Sequence, residues 1–156
     1  MAPASFSPAS SLGYQVNYLA RLMANALRDQ IAPLGVVPGQ FAQLLSLYQE
    51  DGVTQAQLCE RIQIEQPTMA NTLARMQRDG LVDRVPDPAD GRRSLVMLTQ
   101  RARELEGELV DAARKVNAAA TRGLTESQIA QFMATLNTII GNLVAADNRH
   151  PVEATS

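Results

Sequence analysis

The sequence predicts a mainly α fold with one small β-hairpin. Three observations carry this. Apolar residues recur at three- and four-residue steps over six segments. The period changes to two only after Gly80, in Leu81–Val85 and Ser94–Leu98. The segment between these two runs, Pro86–Arg93, is dense in turn formers. A chain of 156 residues with 46% hydrophobic and 19% charged residues is long enough for one domain with a real core, and its composition is that of a globular protein.

In order along the chain, Met1–Ser11 holds three alanines, two prolines and four serines, with no Lys, Arg or apolar run. It is expected to be a flexible arm over 1–10, and not a signal peptide. The first helix spans about Ser11–Leu34, with Leu12, Val16, Leu19, Met23, Ala26 or Leu27, and Ile31 as its apolar stripe, and Pro33 and Gly35 at its end. Pro38 suits the first turn of a second helix, whose stripe is Phe41, Leu44, Leu45 and Tyr48, with Gly52 as its stop. Thr54 and Gln57 have capping-box spacing and open a short third helix with Leu58 and Ile62 inward. After the turn Gln63-Ile64, a fourth helix runs from about Gln66 to Asp79, with Pro67 in its first turn and Gly80 as the residue that ends it. Two helices with so short a connection form a helix-turn-helix. The hairpin follows. Thr99 caps the next helix, which reaches about Thr121 with Ala102, Leu105, Leu109, Ala112 or Ala113, Val116 and Ala120 as its stripe. Thr125 and Gln128 repeat the capping-box spacing ahead of a last helix rich in Ile129, Phe132, Met133, Leu136, Ile139, Ile140, Leu143 and Val144. No stretch approaches eighteen consecutive apolar residues, so no membrane span and a cytoplasmic location are expected. The tail 147–156 reads as a frayed end.

Charge and reactive residues exclude some functions and leave one open. The single cysteine rules out an intramolecular disulfide framework, and one Cys with one His cannot build a zinc site of nitrogen and sulfur ligands. The lone histidine, His150, sits in the tail, no Ser or Cys has a base nearby in sequence, and no glycine-rich phosphate loop appears. The chain is therefore not read as an enzyme and needs no cofactor. Net charge is -2, from 14 basic and 16 acidic residues, but it is unevenly spread. Residues 1–60 hold two basic and four acidic side chains, residues 61–103 eight and five, and residues 104–156 four and seven. The positive segment is the one with the fourth helix and the hairpin, and all of its basic residues are arginine: Arg61, Arg75, Arg78, Arg84, Arg92, Arg93, Arg101 and Arg103. On the fourth helix Met69, Leu73 and Met76 share one side, while Thr68, Asn71, Arg75 and Arg78 share the other. A polar face of that kind suits a DNA major groove, where Asn and Gln pair with adenine and Arg with guanine. Gln66, Thr68, Asn71 and Arg75 are the candidates for base contact, because the N-terminal part of the second helix reaches the bases.

Taken with Thr54–Arg61 (TQAQLCER), Pro67–Asn71 (PTMAN), Asp79–Arg84 (DGLVDR), Pro86–Arg93 (PDPADGRR) and Leu98-Thr99, the sequence resembles the multiple-antibiotic-resistance regulator (MarR) family of winged-helix transcription factors. The resemblance covers roughly Leu12 to Ala146. It implies a winged helix-turn-helix DNA-binding region over 37–99 and a helical dimerisation region over 11–36 and 100–146. It implies a homodimeric repressor on a pseudo-palindromic double-stranded operator, with Arg92 at the wing tip entering the minor groove, Asp90 orienting it or bracing the turn, and Arg93 beside it. Many relatives release DNA on binding a small aromatic acid, for which Tyr14, Asn17, Tyr18 and Arg21 on the first helix would offer aromatic walls, an amide and a cation. A regulator without a ligand, or a winged-helix module for protein contacts, is the alternative. The sequence departs from the family twice. Gln63 stands where the family often has glycine, and would carry roughly 1–2 kcal/mol of strain if the turn needs positive φ. No cysteine lies near the start of the first helix, where the peroxide-sensing branch has one. The only one, Cys59, adjoins inward-facing Leu58 and reads as a packed thiol.

Overall fold

The computed structural model describes residues 7–147, so the expectations for 1–6 and 148–156 lie outside the described residues. The chain divides into two compact units, Met1–Asn117 and Ala118–Ser156. In the first unit a single 3-10 turn at Pro8–Ser10, where an arm was expected, leads into α1 (Leu12–Ile31). The Ser11 hydroxyl caps α1 by accepting from the Tyr14 N–H at 3.3 Å. A second 3-10 turn, Ala32–Leu34, ends on Gly35 at φ 73°, and α2 (Pro38–Gln49) follows. Then come β1 (Val53–Thr54), α3 (Gln55–Ile62), α4 (Gln66–Arg78), β2 (Val82–Pro86), β3 (Ser94–Leu98), α5 (Gln100–Glu104) and α6 (Glu106–Ala120). The second unit holds α7 (Glu126–Asp147).

The expected caps are in place. Gln57 N–H donates to Thr54 Oγ1 at 3.2 Å and Thr54 N–H donates to Gln57 Oε1 at 2.9 Å. The pair Thr125 and Gln128 does the same. Gly80 adopts φ 69°, so that Leu81 N–H returns to the Met76 carbonyl at 2.8 Å and Gly80 N–H to that of Gln77 at 3.1 Å, closing α4 with a Schellman turn.

Three features differ from the sequence reading. The two-residue strand β1 was missed. It pairs antiparallel with β3, Val53 opposite Val96, so the hairpin is part of a three-stranded sheet in the order β1-β3-β2. The single helix expected over 99–121 is interrupted at Leu105, although the bonds Leu105 N–H to Arg101 O and Leu109 N–H to Leu105 O carry the ladder across. On α2 the buried residues are Phe41, Leu44 and Leu47. Leu45 instead faces solvent, and Gln40 and Gln43 are buried.

The core is built by α2, α3, α4 and the sheet around Leu44, Leu47, Leu58, Met69, Leu73, Met76, Leu81 and Val96. Each such side chain contributes about 1.5–3 kcal/mol by leaving water. On β2 only Val82 is buried, so the hairpin beyond it projects from the core as a wing. The long stripes behave differently. On α1 only Ile31 is buried, while Leu12, Val16, Leu19 and Leu22 are exposed. On α7 no residue is buried, and Phe132, Met133, Ile140, Leu143 and Val144 are exposed. By length and composition alone α7 is apolar enough to cross a membrane, although it contains no run of eighteen consecutive apolar residues. Its polar residues are mostly uncharged amides and hydroxyls, which interrupt an apolar run without making it strongly polar.

Candidate nucleic-acid interface

The α3–α4 turn has the strain anticipated for it. Gln63 sits at φ 59° and ψ 48°, the one non-glycine residue with positive φ among the described residues. That left-handed step sends Ile64 N–H back to the Cys59 carbonyl at 3.2 Å and turns the chain into α4. Gln63 Nε2 also donates to the Glu60 carbonyl at 2.6 Å.

From this turn α4 buries Met69, Leu73 and Met76 completely and leaves Gln66, Thr68, Asn71, Arg75 and Arg78 exposed. Neither Arg75 nor Arg78 has an ion-pair partner among the described residues. The wing tip is a compact braced turn. Asp90 Oδ1 accepts from Arg92 N–H at 3.1 Å and from Arg92 Nε at 3.3 Å, yet the Arg92 side chain remains 94% exposed. Asp87, almost buried, accepts from Ala89 N–H at 2.9 Å and pairs with Arg93 Nη2 at 2.9 Å. Arg93 Nε also lies 3.8 Å from Asp90. Arg93, expected to lie beside Arg92 at DNA, is ion-paired within the turn while its side chain stays 56% exposed.

The other arginines of the positive segment are largely spent on the fold. Arg61 pairs with Glu50 and Arg103 with Asp51. Arg101 reaches two backbone carbonyls, Asp79 at 2.6 Å through Nη1 and Leu34 at 3.0 Å through Nη2, and so ties the end of α4 to the turn after α1. Within this segment Arg75 and Arg78 on α4 are left without an ion pair, Arg84 has hydrogen bonds only, and Arg92, though paired with Asp90, keeps its side chain in solvent. Sequence reasoning missed one participant. Gln55, the first residue of α3, bonds both Gln66 and Arg84, and its distance along the chain from Arg84 hides the contact.

The effector candidates are in place as a surface ladder on α1. The Tyr14 and Tyr18 rings are 6.4 Å apart at 31°, and the Arg21 guanidinium lies 5.2 Å over the Tyr18 ring. Both tyrosines are open to solvent, at 51% and 42%, and Asn17 is exposed on the same helix. Cys59 is buried, and burial pushes its thiol pKa up, away from the reactive thiolate.

This arrangement is similar to known regulators. A family model described as the MarR family matches residues 34–93. The HTH-type transcriptional regulator YwoH of Bacillus subtilis (strain 168), itself uncharacterised, is 31% identical over 96 residues, covering 62% of this chain and 69% of its own. A MarR transcriptional regulator from Methanosarcina mazei Go1 superimposes with a TM-score of 0.77 at 27% identity, over 86% of this chain and 97% of that one. The PcaV transcriptional regulator from Streptomyces coelicolor, solved in complex with its natural ligand, superimposes with a TM-score of 0.80 at 26% identity, over 89% and 98%.

Proposed function

The chain belongs to the MarR family of transcriptional regulators, with a DNA-binding winged helix-turn-helix, and from that premise we propose that it is a cytoplasmic homodimeric repressor of a pseudo-palindromic operator. The observation that carries the DNA reading is the placement of uncommitted arginine. Within the positive segment, Arg75 and Arg78 on the polar face of α4 are exposed and carry no ion pair among the described residues, and Arg92 at the wing tip stays 94% exposed beside Asp90. In this reading α4 occupies the major groove, with Gln66, Thr68, Asn71 and Arg75 at base edges and Arg78 at phosphate. Arg92 enters the adjacent minor groove, where a narrow A·T-rich tract concentrates negative potential. Asp90 and Arg93 hold the tip in shape.

The dimer rests on the exposed stripes of α1 and α7. Rows of Leu, Val, Ile and Phe at helical spacing, left in water, are expected to be covered by a second copy. Two-fold symmetry then places two α4 helices about one helical turn apart, ~34 Å. A small aromatic acid is the proposed effector. It would stack on Tyr14 and Tyr18, with Arg21 and Asn17 meeting its carboxylate, and lower operator affinity by favouring a spacing of the two reading units that no longer matches the groove. The ligand-bound state of PcaV is the support for a ligand in the family.

Selection of binding sites from random duplex DNA by the purified chain tests this. An enriched inverted repeat, with half-sites one turn apart, is expected. Enrichment of a single half-site, or of no sequence, would defeat the dimeric operator reading.

A further inference from the structure

Three residues from three elements are wired together where α3, α4 and the wing meet. Gln55 Nε2 lies 2.9 Å from Gln66 Oε1 and 3.4 Å from the Gln66 carbonyl, and Gln55 Oε1 lies 2.7 Å from Arg84 Nη2. Arg84 Nη1 also reaches the Ser94 hydroxyl at 3.5 Å. The donor inventory fixes the polarity of this chain. A guanidinium has donors and no acceptor, so the Gln55 atom facing it must be the oxygen. The Gln55 atom facing Gln66 is then the amide nitrogen, which donates. The Gln66 atom that meets it must therefore be the carbonyl oxygen. A positive charge on β2 thus sets which way round the first side chain of α4 stands.

We infer that Gln66 offers the operator an amide donor, that Gln55 and Arg84 are the positioning residues fixing this polarity, and that Gln66 selects guanine over adenine at the base pair it reads. The inference rests on the base contact proposed above for Gln66. Adenine presents an N7 acceptor beside an N6 donor, and a free amide side chain matches it by offering nitrogen and oxygen together. Guanine presents two acceptors, N7 and O6. With its oxygen turned back to Gln55, Gln66 retains two N–H donors on Nε2, which has no acceptor among the described residues. A donor nitrogen suits the acceptor-only guanine edge, whereas the adenine amino group calls for the amide oxygen that Gln55 already engages. The usual pairing of glutamine with adenine is therefore reversed here by the neighbours that hold its oxygen.

The test is a binding-site selection from random duplex DNA with the full chain, as wild type, Gln66→Ala, Gln55→Ala and Arg84→Met. The wild type should enrich guanine at a position where Gln66→Ala shows no preference. Gln55→Ala and Arg84→Met release the Gln66 amide, and should move the guanine-to-adenine ratio at that position about tenfold toward adenine, with other positions unchanged. A purely structural role would weaken all positions together and leave that ratio alone. Wild-type enrichment of adenine at that position, or an unchanged ratio in Gln55→Ala, overturns the inference. If Gln66→Ala selects the same site as the wild type, the underlying base contact fails, and the inference with it. That outcome is distinguishable from the other two because the Gln66 position itself would not be identifiable.

Discussion

Exchange of Gln63 for glycine and for alanine should reverse the usual order of those two residues. At an ordinary helical position alanine is the more stabilising, by roughly 0.5–1 kcal/mol over glycine. At Gln63 the backbone is held at φ 59° and ψ 48°, where a side chain costs roughly 1–2 kcal/mol and glycine escapes that cost. Glycine gives back about 0.4–1 kcal/mol through the greater freedom of its unfolded chain. The difference leaves Gln63→Gly more stable than Gln63→Ala by about 0.8 kcal/mol. Both variants lose the same exposed bond from Gln63 Nε2 to the Glu60 carbonyl, so that contribution cancels between them. Urea unfolding at one fixed protein concentration measures the difference, and in thermal melts it corresponds to about 2–3 °C at this chain length. Equal stability, or the alanine variant being the more stable, would refute the assignment of strain to this turn. Operator affinity of Gln63→Gly should stay close to wild type, because glycine keeps the same turn into α4.

Three further expectations follow from particular contacts. A Cβ added at Gly35 would meet Arg101 Nη2 at 2.8 Å in a backbone at φ 73°, so Gly35→Ala should cost about 2 kcal/mol, and in an Arg101→Met background only the net left-handed cost of about 0.8 kcal/mol should remain; a double-mutant cycle by urea unfolding checks this. Tyr48 donates to the Ala102 carbonyl at 2.6 Å, and its pKa is pushed up to about 12, first by burial and then by the Glu106 carboxylate. The folded state thus favours the neutral phenol, so this stabilisation is complete below pH 10 and is lost as pH rises from 10 to 12. Tyr48→Phe should lower stability at neutral pH by about 1 kcal/mol and flatten the alkaline decline. Arg75→Ala should relax sequence choice at one position by roughly 1–3 kcal/mol, and equal loss on operator and random DNA would make Arg75 a phosphate contact instead.

Legibility in the sequence depended on how local the determining interaction is. The caps at Thr54 and Thr125, the stop at Gly80 and the buried triad Met69, Leu73 and Met76 depend on residues within one or two helical turns, and were readable. So was the positive φ at Gln63, given the glycine that the resemblance led one to expect. Strand β1 was not readable, because two residues carry no alternation and exist as a strand only through β3. Four neighbouring apolar residues on α2 left periodicity unable to choose between Leu45 and Leu47. The buried Gln40 bonds Asp79, 39 positions away, and no local pattern announces that. The charge count located the basic segment correctly but could not say which arginines were already occupied. Arg101 serves two carbonyls and Arg93 two carboxylates, and both facts depend on the folded chain. The stripes of α1 and α7 were legible as amphipathic faces, and both are exposed in the folded chain.

The central claim is that the wing tip and α4 read DNA, and Arg92 tests it most directly. Its side chain is 94% exposed and makes no contact that the core needs, so Arg92→Ala should melt like the wild type. Affinity for the selected operator, measured by fluorescence anisotropy at fixed salt, should fall by about tenfold or more, as expected for losing a charged groove contact. Unchanged affinity in a variant of wild-type stability would contradict the account.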